Sequence, residues 1–361
     1  MEKVEKKQNL GLLSLRGLKD KFVEIGEPEF RGEQIFRWIW KEGVTEFSKM
    51  SNLSLKLRQK LEAEFEIGFP EIIQAQDSLD GTRKFLLKLE DGKTVETVWI
   101  PRGDQERVTV CVSTQVGCKM GCTFCLTAQQ KVERNLLPGE IAGQLWVLPN
   151  RKQITNVVVM GMGEPFDNYD NLMGGIENMT HPQGLEIGPR HVTVSTSGLV
   201  PKIEKFVQES RCRLAVSLNA PNDEIRSQIM PINRAYNMDA LLGSLREISK
   251  KTFKKAAGSR FGVTFEYILI AGLNDAPEHA RELVRQLHGI DAKVNLLLYN
   301  ENPNIPFKRP TMDRVEEFRA VLSKKGLLNF LRTSRGRDIS AACGQLVSEH
   351  KRKSGLEQLS L

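Results

Sequence analysis

Val108-Thr-Val-Cys-Val-Ser-Thr-Gln-Val-Gly-Cys118-Lys-Met-Gly-Cys122-Thr-Phe-Cys125 joins a short β run to three closely spaced cysteines. The valine-rich start has the composition of a strand. The cysteines therefore lie just past that strand's C-terminal end. Outward from this stretch the chain alternates between strand and helix. Val157-Val-Val-Met160, Val192-Thr-Val-Ser195, Leu214-Ala-Val-Ser-Leu218, Phe261-Gly-Val-Thr-Phe-Glu-Tyr-Ile-Leu-Ile270 and Val294-Asn-Leu-Leu-Leu-Tyr299 read as strands. Helical periodicity fills the intervals near residues 138–147, 169–178, 200–209, 237–250 and 277–289. One more helix near 312–325 precedes a short strand around Phe330. Repeated βα units predict a parallel sheet with right-handed crossovers. Six or so units predict an open, partial α/β barrel rather than a complete eight-unit one. In barrels the reactive groups gather at the C-terminal ends of the strands, where these cysteines lie.

The regions before the barrel have a different pattern. Over the first 70 residues the apolar positions recur with a helical period. Leu12, Leu13, Leu15, Leu18 and Phe22 share one face; Ile35, Phe36, Trp38, Ile39 and Trp40 crowd a second; Leu55, Leu57, Leu61 and Phe65 mark a third. The Trp38/Trp40 pair reads more simply as a small core than as a base-stacking surface. From residue 71 the pattern changes to β runs, with Lys84–Leu89 facing Thr94–Ile100 across the hairpin signal Glu90-Asp-Gly-Lys93. The expected organisation is a helical N-terminal accessory domain over 1–70 and a β-hairpin extension over 71–104. A barrel with a C-terminal loop then covers 105–348, and a polar tail covers 349–361.

The chain has 361 residues, 40% of them apolar and 27% charged, which suits a soluble globular protein and excludes wholesale disorder. No window approaches the roughly 18 uninterrupted apolar residues of a membrane span. The charged N-terminus offers no secretory leader. These features predict a cytoplasmic protein with reduced thiols and no membrane partner. The net charge of +7 leans toward a polyanionic partner, though it is modest.

Three thiols in Cys118-x3-Cys122-x2-Cys125 can reach one metal centre. A structural zinc site takes four ligands, and no fourth Cys or His is near in sequence: the histidines are 181, 191, 279, 288 and 350. Zinc with a distant fourth ligand is one reading. The other is a [4Fe–4S] cluster with one iron left open for a substrate, since an ordinary electron-transfer cluster takes four Cys. Other strand ends are polar too. Met160-Gly-Met-Gly163-Glu164-Pro165 offers glycines for close backbone approach and a carboxylate for an amino group; a plain strand-to-helix turn would read the same way. Strand parity separates Ser195 from its valines, and Ser217 and Asn219 from Leu214, Val216 and Leu218. Asn300 ends its strand similarly. Each serine alone reads as a turn residue; together they suggest a polar ligand site.

With Phe124 before the last Cys, the cysteine motif resembles the signature of radical S-adenosylmethionine (SAM) enzymes. That likeness implies a partial (β/α)6 barrel, a [4Fe–4S] cluster on Cys118, Cys122 and Cys125, and SAM on the open iron, cleaved to a 5′-deoxyadenosyl radical. Further segments resemble one family closely: Asp80-Gly-Thr-Arg-Lys84, Val95-Glu96-Thr-Val98, Cys111 to Cys118, Gly161–Pro165, Ser195-Thr-Ser-Gly198, Met230-Pro-Ile-Asn-Arg234 and Asp338-Ile-Ser-Ala-Ala-Cys343-Gly-Gln-Leu346. They are similar to the RlmN family of RNA adenine C2-methyltransferases, over nearly the whole chain. Pro165 and Ser197 fit that family better than its C8-methylating relatives of the Cfr type.

The resemblance implies activity on adenosine in the peptidyl-transferase loop of 23S rRNA and on tRNA immediately 3′ of the anticodon. It implies two SAM molecules per turnover, bound by Gly163, Glu164, Ser195, Ser217, Leu218, Asn219 and Asn300. Cys343 would take the methyl group, Cys111 would close a disulfide with it as product leaves, and Glu96 would serve as acid/base. A monomer drawing single electrons from a flavodoxin or ferredoxin completes the expectation, with Arg31, Arg37 and Lys41 as candidate phosphate contacts. Without the resemblance, Cys111 and Cys343 read as packed residues and Glu96 as a surface carboxylate; Cys212 stays structural. The alternatives are Cfr-type C8 methylation and a non-catalytic zinc-containing RNA-binding module.

Overall fold

A computed structural model describes residues 7–103, 107–250, 262–302 and 305–347. One ten-stranded sheet organises it. Its strands are β1 (Glu71–Asp77), β2 (Arg83–Lys88), β3 (Thr94–Pro101), β4 (Val108–Cys111), β5 (Ile154–Val159), β6 (Val192–Thr196), β7 (Arg213–Ser217), β8 (Val263–Leu269), β9 (Ala292–Leu298) and β10 (Asn329–Arg332). Their order across the sheet is their order along the chain. β1 to β4 pair antiparallel. From β4 to β10 every pair is parallel.

Helices fill the parallel crossovers. α1 (Leu15–Glu24), α2 (Glu29–Trp40) and α3 (Leu55–Glu64) precede the sheet, and the short α4 (Leu126–Gln129) follows the cysteine loop. α5 (Pro138–Trp146), α6 (Tyr169–Thr180), α7 (Val200–Glu209), α9 (Met238–Ile248), α10 (Pro277–Gln286) and α11 (Met312–Lys324) each link one parallel strand to the next. α8 (Asp223–Ile229) is an extra turn after β7. The result is six strand–helix units plus a seventh short strand, the open α/β barrel that the repeats predict. The predicted start of β8 at Phe261 and the polar tail lie outside the described residues.

Burial alternates along these strands. In β8, Val263, Phe265, Tyr267 and Leu269 are fully buried beneath the helices, while Thr264, Glu266 and Ile268 are only partly covered. A parallel sheet covered on both faces reads as continuous apolar runs. The alternation here means that the second face lines a polar lumen, where Glu266 accepts a 2.8 Å bond from Asn295.

The sheet is open, with β1 and β10 as its edges. The segment after β10 spans that opening. Ser78 and the backbone N–H of Leu79 bond Asp338, the N–H of Gly336 bonds Asp80, and Arg335 donates to the carbonyl of Asp80. The N-terminal helices pack on the barrel's flank. Trp40 is buried with Phe36 and Phe69, which confirms the core reading for that indole; Trp38 is half-covered and donates to Asn52. Gly139 at the start of α5 lies so near Gly11 that a Cβ would fall 1.9 Å from its carbonyl oxygen. No helix among the described residues is long and apolar enough to cross a membrane.

Candidate active site at the strand ends

Cys111 is the last residue of β4, between Val98 of β3 and Val158 of β5. Burial, helped by the nearby Cys343, pushes its thiol up to about 12. The cysteine loop starts seven residues later. Its backbone is tied down by Thr123 N–H to the Ile229 carbonyl at 3.0 Å and by Cys118 N–H to the Gln130 carbonyl at 3.3 Å. Phe124 packs with Ile225, Ile229, Met230 and Ile270, which aims the loop over the barrel mouth.

All three loop cysteines are free thiols. Burial pushes Cys118 up to about 12 and Cys122 well above its ordinary value. Cys125, Cys118 and Glu164 push Cys122 further, and the Arg226 cation pulls it back. A metal centre takes such thiols as thiolates, and its positive charge offsets the cost of ionising them in a buried loop. Among the described residues no three His, Cys, Asp or Glu side chains are placed to hold a single ion. A multi-iron cluster needs no such convergence, because each iron takes one thiolate.

Opposite the cysteine loop, Glu164 is buried, and burial raises its pKa. Its carboxylate accepts from the N–H groups of Phe166 at 3.0 Å and Ser197 at 2.7 Å. Glu164 thus braces the ends of β5 and β6. Gly163 has φ +101°, and a Cβ there would lie 2.6 Å from that of Gln115, whose side chain accepts from the Glu164 N–H. Ser195 and Ser217 face each other with hydroxyls 3.5 Å apart, as strand parity predicts.

Parity fails at Asn219. β7 ends at Ser217, Leu218 is buried, and Asn219 has φ +57°. The left-handed turn sends its amide onto the Ile268 N–H at 2.9 Å instead of continuing the strand's polar face. Asn300 lies two residues beyond β9 and donates to the carbonyl of Cys343 at 3.5 Å; its own amide oxygen lacks a partner among the described residues.

The C-terminal segment closes over this array. Leu126 N–H donates to the Gly344 carbonyl at 2.9 Å, and the Thr127 hydroxyl donates to the Leu346 carbonyl at 2.6 Å. Cys343 is therefore held against the cysteine loop, and it keeps an exposed face. Desolvation by its surroundings lifts its thiol to about 11. Cys111 and Cys343 are both free, so the disulfide implied by resemblance is not formed in this state.

Glu96 is buried, not surface-facing. It forms an ion pair with Lys84 at 2.9 Å and accepts from the Val347 N–H at 2.8 Å. Its backbone is fixed through Ser113, whose hydroxyl donates to the Glu96 carbonyl and whose N–H donates to Gln144. Sequence reasoning missed Lys84 and also Arg226. Arg226 is fully buried and donates to the carbonyls of Ser197 at 2.7 Å and Leu218 at 3.2 Å, joining the ends of β6 and β7. Its bond to Asn233 lies inside the Met230–Arg234 motif, which was the available signal.

Residues 112–284 match the radical SAM superfamily, and residues 8–67 match the ribosomal RNA large subunit methyltransferase N-terminal domain. The chain is 44% identical over 335 residues to the dual-specificity RNA methyltransferase RlmN of Marinobacter nauticus, covering 90% of this chain and 89% of that one. The chain belongs to the RlmN family. The RlmN of Paracoccus denitrificans is 42% identical over 363 residues, covering 96% and 91% of the two chains. A solved radical SAM methyltransferase from Sphaerobacter thermophilus superposes with a TM-score of 0.84 at 40% identity, covering 94% of this chain and 99% of that one. Members of the RlmN family are RNA methyltransferases of the radical SAM superfamily, which use a [4Fe–4S] cluster and SAM. The match across the cysteine loop sets aside the zinc-module alternative.

Proposed function

We propose that this RlmN-family chain methylates C2 of adenosine in the peptidyl-transferase loop of 23S rRNA and in tRNA immediately 3′ of the anticodon. In this reading Cys118, Cys122 and Cys125 hold the cluster, and Gly163, Glu164, Ser195, Ser217, Leu218, Asn219 and Asn300 hold SAM. When bound, the two supply a methyl group, and with one electron from an external flavodoxin or ferredoxin they supply the radical that activates it. Adenine C2 is electron-poor and no nucleophile, so the methyl group cannot pass to it by simple displacement. Cys343 takes the methyl on its sulfur and carries the activated carbon to C2, which links protein to RNA. Glu96 removes the C2 proton. The adduct gives one electron back to the external carrier; Cys111 then loses its proton and attacks the Cys343 sulfur, which forms the disulfide and releases the carbon to take up a proton as the product's methyl group.

The observation that carries this reading is the seat of Cys343. Its segment is bonded to the cysteine loop through Gly344 and to Glu96 through Val347. Gly163 and Asn219 contribute through backbone shape, and the Asn300 amide joins the SAM side to the Cys343 segment.

The test separates the two remote cysteines. Cys343→Ala should accept no methyl and give no adduct. Cys111→Ala should acquire the methyl, react, and stall with RNA attached, as a shifted band on a denaturing gel. Normal turnover by Cys111→Ala would return that residue to a packed strand position.

A further inference from the structure

The far end of the barrel carries a second concave site. A cavity of about 710 Å³ opens at the N-terminal ends of β4, β5 and β6, between the barrel and the turn after α2. Lys41, Arg107, Arg151, Lys152 and His191 line it. Among the described residues, Arg107, Arg151 and Lys152 have no carboxylate partner, while Lys41 pairs with Glu186 at 3.4 Å. Glu186 is the acidic side chain lining the cavity. Arg151 is held in place over the Trp146 ring, 4.9 Å from its centre, and by the Trp146 carbonyl.

Trp40 also lines the cavity, is fully buried, and its indole N–H has no hydrogen-bond partner among the described residues. That donor is sealed from the cavity, so the case for an anion rests on the lining charge, four cations against one carboxylate.

We propose that this cavity grips the phosphodiester backbone of the RNA substrate, away from the reacting nucleotide. The volume exceeds what one phosphate fills. Lys41, Arg107 and the adjacent Arg151 and Lys152 come from three separate stretches of chain, so the charge is spread around the cavity rather than supplied by one loop. β5 has six residues, so the cavity lies roughly 20 Å from the cysteine end. RNA engaging both ends must therefore run along the flank formed by the N-terminal helices and the barrel. Of the sequence candidates, Lys41 lines the cavity, while Arg31 and Arg37 do not. Arg31 bonds Gln34, while Arg37 and Lys41 pair with Glu42 and Glu186.

The proposal rests on an RNA substrate, and the experiment keeps the two apart. Arg107 and Lys152 are exposed, so the double variant Arg107→Gln/Lys152→Gln should fold normally. Binding of an unmodified tRNA transcript is measured at several salt concentrations for wild type and variant. Each phosphate neutralised contributes about 0.7–0.9 to the slope of log affinity against log salt. The variant's slope should be shallower by about 1.4–1.8, with SAM cleavage unchanged. Equal slopes would overturn the proposal. Stabilisation of wild type alone by inorganic pyrophosphate, with equal RNA slopes, would also overturn it and assign the cavity to a small anion. Wild type that binds no RNA at all would instead defeat the substrate reading.

Discussion

Replacing Lys84 by Met removes a cation 2.9 Å from the Glu96 carboxylate, in a pair whose side chains are only 3% and 5% exposed. Breaking one side of a buried pair strands the other charge, at a cost of about 3–5 kcal/mol. Lys84→Met also forfeits the 3.3 Å bond to the Ser340 carbonyl, so the C-terminal segment loses an anchor. Glu96→Gln takes the carboxylate charge away from Lys84 and should cost a similar amount. The double variant leaves no unpaired charge, and its Gln oxygen can still accept from Val347. It should therefore be much more stable than the sum of the singles implies, with a coupling of about 3 kcal/mol, or roughly two orders of magnitude in the unfolding constant. Urea unfolding of the four proteins under reducing, anaerobic conditions gives that number. Additive single-variant losses, with coupling below about 0.5 kcal/mol, would show that the two charges are not a stabilising unit.

The same geometry sets other outcomes. Replacing Cys118, Cys122 or Cys125 by Ala should remove the brown iron–sulfur absorbance and SAM cleavage together, and full absorbance in any of them would exclude that residue as a ligand. Gly163→Ala combines a positive φ with a Cβ clash against Gln115, so it should lower stability by about 1–3 kcal/mol and weaken SAM binding, measured by thermal unfolding and equilibrium dialysis. Burial opposes the shift at Asp80, but hydrogen bonds from Thr82 and the Gly336 N–H outweigh it and hold that carboxyl at about 2. The lowered value means that its hold on the C-terminal segment is full above the ordinary value of 3.8 and lost as pH falls toward 2. Hydrogen exchange at residues 336–341 should rise across that window, and Asp80→Asn should flatten the rise.

The alternation of strand and helix was legible because each unit keeps its own period. α7 occupies the predicted range, and β5 to β9 fall on the quoted runs. What sequence could not supply depends on contacts between distant segments. α8 has only seven residues, too few for a helical period to repeat visibly in the sequence, and it is held by the Asn222 cap and by Arg226 beneath the strand ends. Parity placed Ser195 and Ser217 correctly but failed at Asn219, where the left-handed turn follows the strand's last residue. Glu96 sits in an apolar strand with alternating neighbours, and only its partner 12 residues earlier on the facing strand explains a buried carboxylate there. Lys84 was visible as a residue of β2, but nothing local to it announces a contact with Ser340.

Sequential strand order carries a consequence for biosynthesis. Each strand of the sheet pairs with the one made just before it, so the sheet can grow edge by edge as the chain emerges from the ribosome. The closing segment breaks that locality: Asp338 meets Ser78 across 260 residues, and Val347 meets Glu96 across 251. Contacts of such long separation form late, after the loop entropy of everything between them has been lost. Metal loading therefore has an interval in which the cysteine loop is already folded and the segment bearing Cys343 has not yet covered it. A nascent chain halted before residue 336 should be able to acquire iron and sulfide while still lacking the sulfur that accepts the methyl group.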